Sequence, residues 1–175
     1  MIWMLIKGII LGFSIAAPVG PIGVLCIRRT LASGRAVGLV TGLGAASADA
    51  VYGAIAGFGL TYIAHFLVSQ EAGLRWVGGG FLLYLGIKIF LSKARTVTPE
   101  TDFNGLVSAY VSTFFLTLTN PMTILSFTAL FAGIGLANRP GDYGTATMLV
   151  LGVFIGSALW WLILSRSVGG FRFLF

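Results

Sequence analysis

The sequence predicts an all-α polytopic membrane protein with five transmembrane helices, laid out as a 3+3 inverted repeat whose second half is incomplete. Three observations point there. Of the 175 residues, 57% are hydrophobic and 9% are charged, against about 25% charged in an ordinary soluble domain. Mean hydropathy is +0.98. The charges fall in clusters, and the apolar runs between them reach the roughly 20 residues that a spanning helix needs. So few charges cannot coat a soluble globule, which excludes a soluble enzyme, a disordered chain and a disulfide-rich module. A lone cysteine, Cys26, leaves no intramolecular disulfide and no Cys-based metal or redox site. In such a chain the net charge of +6 belongs to cytoplasmic loops facing anionic lipid rather than to nucleic acid.

The elements follow in order. Residues 8–27 carry no charge and form helix 1. The stretch exceeds the about 7–15 apolar residues of a signal peptide and lacks a basic lead-in. Arg28, Arg29 and Arg35 then make a tight basic loop over 28–36. Helix 2 runs from Val37 to Phe66 with a single charge, Asp49, near its middle. A short loop holds Ser69, Gln70, Glu71 and Arg75, and helix 3 covers 74–91, its Lys88 near enough to the end to snorkel. A polar linker over 92–104 follows. The uncharged run 103–138 is too long for one straight helix and breaks at Asn120-Pro121. Arg139-Pro140-Gly141-Asp142 is a turn, and helix 5 covers 143–165. The single membrane domain, 1–175, thus divides into a first three-helix unit (1–92), a polar cytoplasmic linker (93–104) and a second unit (105–175) that lacks its third helix.

Charge bias sets the orientation. Arg28, Arg29, Arg35, Lys88, Lys93, Arg95, Arg166 and Arg172 fall on one side, and Lys7, Arg75 and Arg139 on the other. The positive-inside rule then puts the N-terminus outside a prokaryotic inner membrane. Trp3 and Trp76 lie at the outer interface, and Trp160 and Trp161 at the inner one.

Two helices are interrupted. In Ala17-Pro18-Val19-Gly20-Pro21, each proline lacks an N–H and clashes with the preceding turn, and Gly20 adds freedom. Backbone freed in this way must be buried in protein or line a wet cavity. Asn120-Pro121 is the second break, flanked by Thr117, Thr119 and Thr123, whose hydroxyls can satisfy freed carbonyls. Either break alone reads more readily as a packing kink. Their pairing, Pro21 and Pro121 in the first helix of each unit, is the pattern that marks a transporter's midplane site.

Asp49 is the other candidate. A carboxylate at a helix centre costs about 2.5–3.5 kcal/mol on insertion scales, which makes it a functional candidate by default. Gly42, Ala45, Ala46, Tyr52, Gly53 and Gly57 surround it on a small-residue face that admits another helix. One reading is a site for a substrate ammonium or a proton, with Tyr52 beside it; the other is a structural Asp bonded to a hydroxyl or to unwound backbone. His65 reads as interfacial, and Gly78-Gly79-Gly80 and Gly152/Gly156 as packing notches. No cofactor or metal motif appears, and an intramembrane aspartyl protease would need a second carboxylate.

Three segments carry a family resemblance: APVGPIGVLCIRRTLASGRAVGLVTGLGAASADAVYG (17–53), LRWVGGGFLLYLGIKIFLS (74–92) and TFFLTLTNPMTILSF (113–127). The chain resembles the lysine-exporter superfamily (LysE/RhtB type) of small amino-acid exporters. The family carries a sixth helix that this chain lacks. The resemblance implies proton-driven export of amino acids or similar small metabolites. On the residues' own chemistry, half-helix N-termini at the breaks would take the carboxylate, and Asp49 the ammonium or the coupling proton, which gives an antiport. Expected partners are lipid, an amino-acid substrate and protons, with a homo-oligomer compatible with the glycine faces. A cation or metal exporter is the alternative, disfavoured because the spans offer Asp49 and Asn120 and few other ligands. A non-transporting assembly subunit is the third reading.

Overall fold

The computed structural model describes residues 2–18, 20–58, 103–120, 122–127 and 143–171, with Gly73, Trp76, Gly80, Leu83, Tyr84 and Ile87 between them. The described residues are helical apart from the turns, with no strand among them. The helices are α1 (Ile2–Ala16), α2 (Pro21–Ser33), α3 (Arg35–Gly57), α4 (Phe103–Leu118) and α5 (Tyr143–Phe171), with a further helical stretch at 122–127. By length and composition α3 and α5 can cross a membrane, and α1 with α2 makes a third candidate as one bent span. The expected helix 3 is described at those six positions, helical and exposed; the linker 92–102, the turn 139–142 and Pro121 lie outside the described residues.

The expected helix 1 is two helices. Ala17 N–H makes the last helical bond, to Phe13 O at 2.9 Å, and Pro18 stops the run. Gly20 is extended (φ −96°, ψ −165°), and Pro21 opens α2, where a missing N–H costs nothing. The two segments meet at 79°.

The expected basic loop at 28–36 needs correcting. α2 continues through Ser33, and Gly34 alone separates it from α3. Gly34 sits at φ 96°, ψ 171°, a region for glycine, and its N–H still bonds Thr30 O at 3.0 Å. Arg28 and Arg29 are therefore helical. α2 folds back along α3, with Cys26 Sγ–H donating to Gly38 O at 3.3 Å and Thr30 packed over Gly38. α5 also runs past its expected end at 165, which places Arg166 inside the helix.

Register gives the helix directions. Gly8 and Gly12 meet Gly152 and Val153, while Gly156 meets Ile9. α1 and α5 therefore run parallel, with two glycines spaced by four on each side of the seam. A methyl group at Gly12 or Gly156 would overlap the opposing backbone carbonyl. In lipid, where hydrophobicity does not drive helices together, such backbone proximity is what makes the contact favourable. Along α3, Gly42 faces Trp161 and Gly53 faces Val153, so α3 runs antiparallel to α5. Gly44 faces Tyr110 O, and Tyr110 O–H donates to Ser47 Oγ at 2.7 Å; further on, Tyr52 O–H donates to Leu118 O. α3 and α4 are thus parallel. Ala16 and Ile22, on either side of the first break, share one buried cluster with Leu25, Cys26, Ala45, Ala46, Leu116 and Trp161.

Candidate functional site

Asp49 lies in α3 and is 3% exposed. Fully buried Ala45, Ala46 and Ala48 precede it and let α4 and α5 close in. Its partner comes from α5: Ser157 Oγ–H donates to Asp49 Oδ2 at 2.7 Å. Trp161 Nε1–H in turn donates to Ser157 Oγ at 3.2 Å. An indole N–H can only donate, so Ser157 accepts there and turns its own proton toward the carboxylate. The chain Trp161–Ser157–Asp49 is buried throughout. Trp161 is held over Gly42, where any side chain would collide with it.

Tyr52, one turn on, is buried and points to α4. Its ring stacks on Phe127 with centroids 5.3 Å apart. Its hydroxyl takes up Leu118 O, a carbonyl the second break leaves without its helical donor. That donor would be Met122 N–H, which goes instead to Asn120 Oδ1 at 3.1 Å. Asn120 closes the break from both sides. Its N–H reaches Thr117 O at 3.2 Å, and its own carbonyl accepts Thr123 N–H at 3.1 Å and Ile124 N–H at 3.2 Å. Thr119 Oγ1–H bonds Phe115 O at 2.9 Å, as hydroxyls beside a break should. Thr117 Oγ1, by contrast, is buried without a partner among the described residues.

The first break differs. Pro18 and Pro21 are exposed and Gly20 half-buried. No side chain caps α2, and a side chain added at Gly20 would meet open space. First-turn N–H groups have no intrahelical acceptor, so α2 presents free donors and the positive end of its dipole. Of the two breaks, the second has Met122 N–H taken up by the Asn120 side chain, while at the first Gly20 N–H bonds Pro18 O at 2.9 Å and no side-chain cap meets α2 among the described residues. The candidates therefore separate in space: Asp49 faces α5, Tyr52 and Asn120 stand at the α3–α4 contact, and Pro18, Gly20 and Pro21 form the bend.

Two groups were missed in the sequence. Ser157 is an isolated hydroxyl in an apolar helix, and nothing in its neighbours signals its role. Arg29, expected in a loop, is half-buried and bonded to α3 and α4. The signal was helical phase, since extending α2 to Gly34 puts Arg28 outward and Arg29 inward.

Apolar helices close-packed on glycine, one helix bent at prolines and a carboxylate buried within a span define an integral membrane protein of the transporter class. Residues 13–175 match the family described as LysE type translocator, and the chain belongs to that family. That membership places it among membrane transporters. The chain is 30% identical over 171 residues to a Bacillus subtilis (strain 168) protein named "Putative amino acid efflux protein YcgF", covering 94% of this chain and 79% of that protein. It is 31% identical over 147 residues to "Uncharacterized membrane protein YahN" of Escherichia coli (strain K12), covering 81% of this chain and 64% of that one. No solved structure gives a significant match.

Proposed function

We propose that the chain exports amino acids or similar small metabolites across a prokaryotic inner membrane by proton-coupled antiport. The observation that carries this is Asp49: an acid buried within a span, held by a hydroxyl and by no cation among the described residues. An intramembrane carboxylate without a fixed counter-ion is costly, and a proton or a substrate ammonium is the mobile partner that offsets the cost. The first break supplies the complementary half. The first-turn N–H groups of Ile22 and Gly23, which no side-chain cap meets among the described residues, suit a substrate carboxylate. Asn120 closes the second break, at which the sequence places Pro121, and Tyr52 ties it to the helix that carries Asp49. Proton and ammonium competing for Asp49 would exchange on opposite sides of the membrane.

Five spans, a first unit at 1–92, a linker at 93–104 and a second unit at 105–175, with the N-terminus outside, complete the reading. The observed directions fit it: parallel α1 and α5, and parallel α3 and α4, are what that order of crossings requires. The test is export of a labelled mixture of neutral L-amino acids from vesicles under an imposed pH gradient. Asp49→Asn is expected to insert normally and to lose pH-driven export. Undiminished pH-driven export by that variant would overturn the role of Asp49.

A further inference from the structure

We propose that Arg29 is a carboxylate-recognition site that holds the solute's acid group near the Arg35 end of α3, before the solute reaches Asp49. This rests on amino-acid-type export as proposed above and assigns the residue that reads the carboxylate. Arg29 sits where α2, α3 and α4 meet. Its Nη1 donates to Thr41 Oγ1 at 3.4 Å, Ala109 O at 3.0 Å and Thr113 Oγ1 at 2.9 Å. Its Nη2 donates to Ser112 Oγ at 2.9 Å.

Every one of those acceptors is neutral. α2 and α4 contain no Asp or Glu, and the one acid of α3, Asp49, stands eight residues beyond Thr41. Eight residues are about 12 Å along a helix axis, too far for a pair. The guanidinium is thus a half-buried cation without a counter-ion among the described residues, in a position where such a charge is expensive.

Its donors are also not all used. A guanidinium has five N–H groups in a planar fork. The two on Nη1 serve three acceptors, and Nη2 gives one to Ser112. Nε–H and the second Nη2–H have no partner among the described residues, and that edge is the one a carboxylate takes side-on through two parallel bonds. A second observation lies on the same buried face of α4. One turn beyond Thr113, Thr117 is 3% exposed and its hydroxyl has no partner among the described residues. Buried polar groups are ordinarily paired, so a hydroxyl without a partner among the described residues, one turn along α4 from the Arg29 contacts, adds a second polar group that a ligand could satisfy. The protein grips one edge of the guanidinium through α4 and leaves the other edge to the solute. An α-amino acid has its carboxylate and ammonium one carbon apart, so it cannot bridge Arg29 and Asp49 at once. The two residues act in succession.

The test uses the purified chain in detergent micelles and reads its melting temperature. The probes are an equimolar mixture of neutral L-amino acids, the same compounds as carboxamides, and acetate. The free acids are expected to stabilise the protein and the carboxamides not. Arg29→Gln is expected to weaken the acids' effect by about 30-fold or more in concentration, the loss on removing one partner of a buried charge pair. Arg29→Lys keeps the cation without the fork and should fall between; it carries the test should the Gln variant not fold. Equal stabilisation by acids and carboxamides, or undiminished stabilisation by the acids in a folded Arg29 variant, overturns the assignment. Acetate separates this from the function proposed above: acetate binding that depends on Arg29 while amino acids fail to bind upholds the site and removes the solute class.

Discussion

Ser157→Ala tests the chemistry around Asp49 most directly. The substitution removes one hydroxyl with almost no change in volume. It orphans two buried groups: the Trp161 indole N–H, now 3.2 Å from its acceptor, and Asp49 Oδ2, now 2.7 Å from its donor. Each buried group left unsatisfied costs about 1–3 kcal/mol, so the pair should cost about 2–6 kcal/mol of stability. The informative number is how that cost changes with charge. A hydrogen bond to a charged group contributes about 1.5–3 kcal/mol and one between neutral groups about 0.5–1.5 kcal/mol. If Ser157 solvates a carboxylate, its removal should cost about 1 kcal/mol less in an Asp49→Asn background, where the acceptor is neutral. Unfolding of the four proteins by denaturing detergent in mixed micelles measures the cycle. Additivity within about 0.3–0.5 kcal/mol would mean that Ser157 does not sense the charge on Asp49, and the reasoning fails.

Two further expectations concern the frame that holds the site. Tyr52→Phe keeps the stack on Phe127 and strands Leu118 O, so it should cost about 1–3 kcal/mol in the same unfolding measurement; wild-type stability would show that water replaces the hydroxyl. Gly156→Val drives a side chain into the Ile9 carbonyl and should cost about 1–3 kcal/mol or more, whereas Gly53→Ala adds a methyl at ordinary contact, 3.5 Å from Val153, and should be tolerated. Equal losses in the two variants would sink the argument that α1 and α5 are held by backbone proximity.

How far these features could be read from residue types depends on whether one residue or a register creates them. The breaks were legible because proline deletes a donor wherever it stands. Asp49 was legible because a charge in lipid is costly in any surroundings. Gly152 and Gly156 were legible as notches and Gly42 as part of a small-residue face, but their partners were not, since Gly8 against Gly152 and Gly42 against Trp161 are set by how helices align. Ser157 matters because α5 runs antiparallel to α3 and brings it level with Asp49 from 108 residues away. Arg29 was misplaced for a different reason. Two arginines ahead of Ser33-Gly34 look like a loop, yet Gly34 at positive φ turns the chain in one residue, and the helical phase carries Arg29 inward.

Asp49 and Arg29 share a design. Each is an ionisable side chain drawn out of water: Asp49 accepts from a hydroxyl and Arg29 donates to hydroxyls and one carbonyl, with no opposite charge on either among the described residues. A permanent ion pair would be costly to separate, about 3–5 kcal/mol when one partner of a buried pair is lost. Such a pair would fix both side chains and compete with any ion passing between them. Neutral partners orient the charge and leave it uncompensated, so a mobile ion of opposite sign gains the full interaction on arrival and surrenders it on departure. On the proposed cycle that is the requirement at both stations. Arg29 must release the solute's carboxylate for the solute to move on, and Asp49 must exchange an ammonium for a proton. About two helical turns lie between them, and the uncapped α2 N-terminus offers the carboxylate its next set of donors.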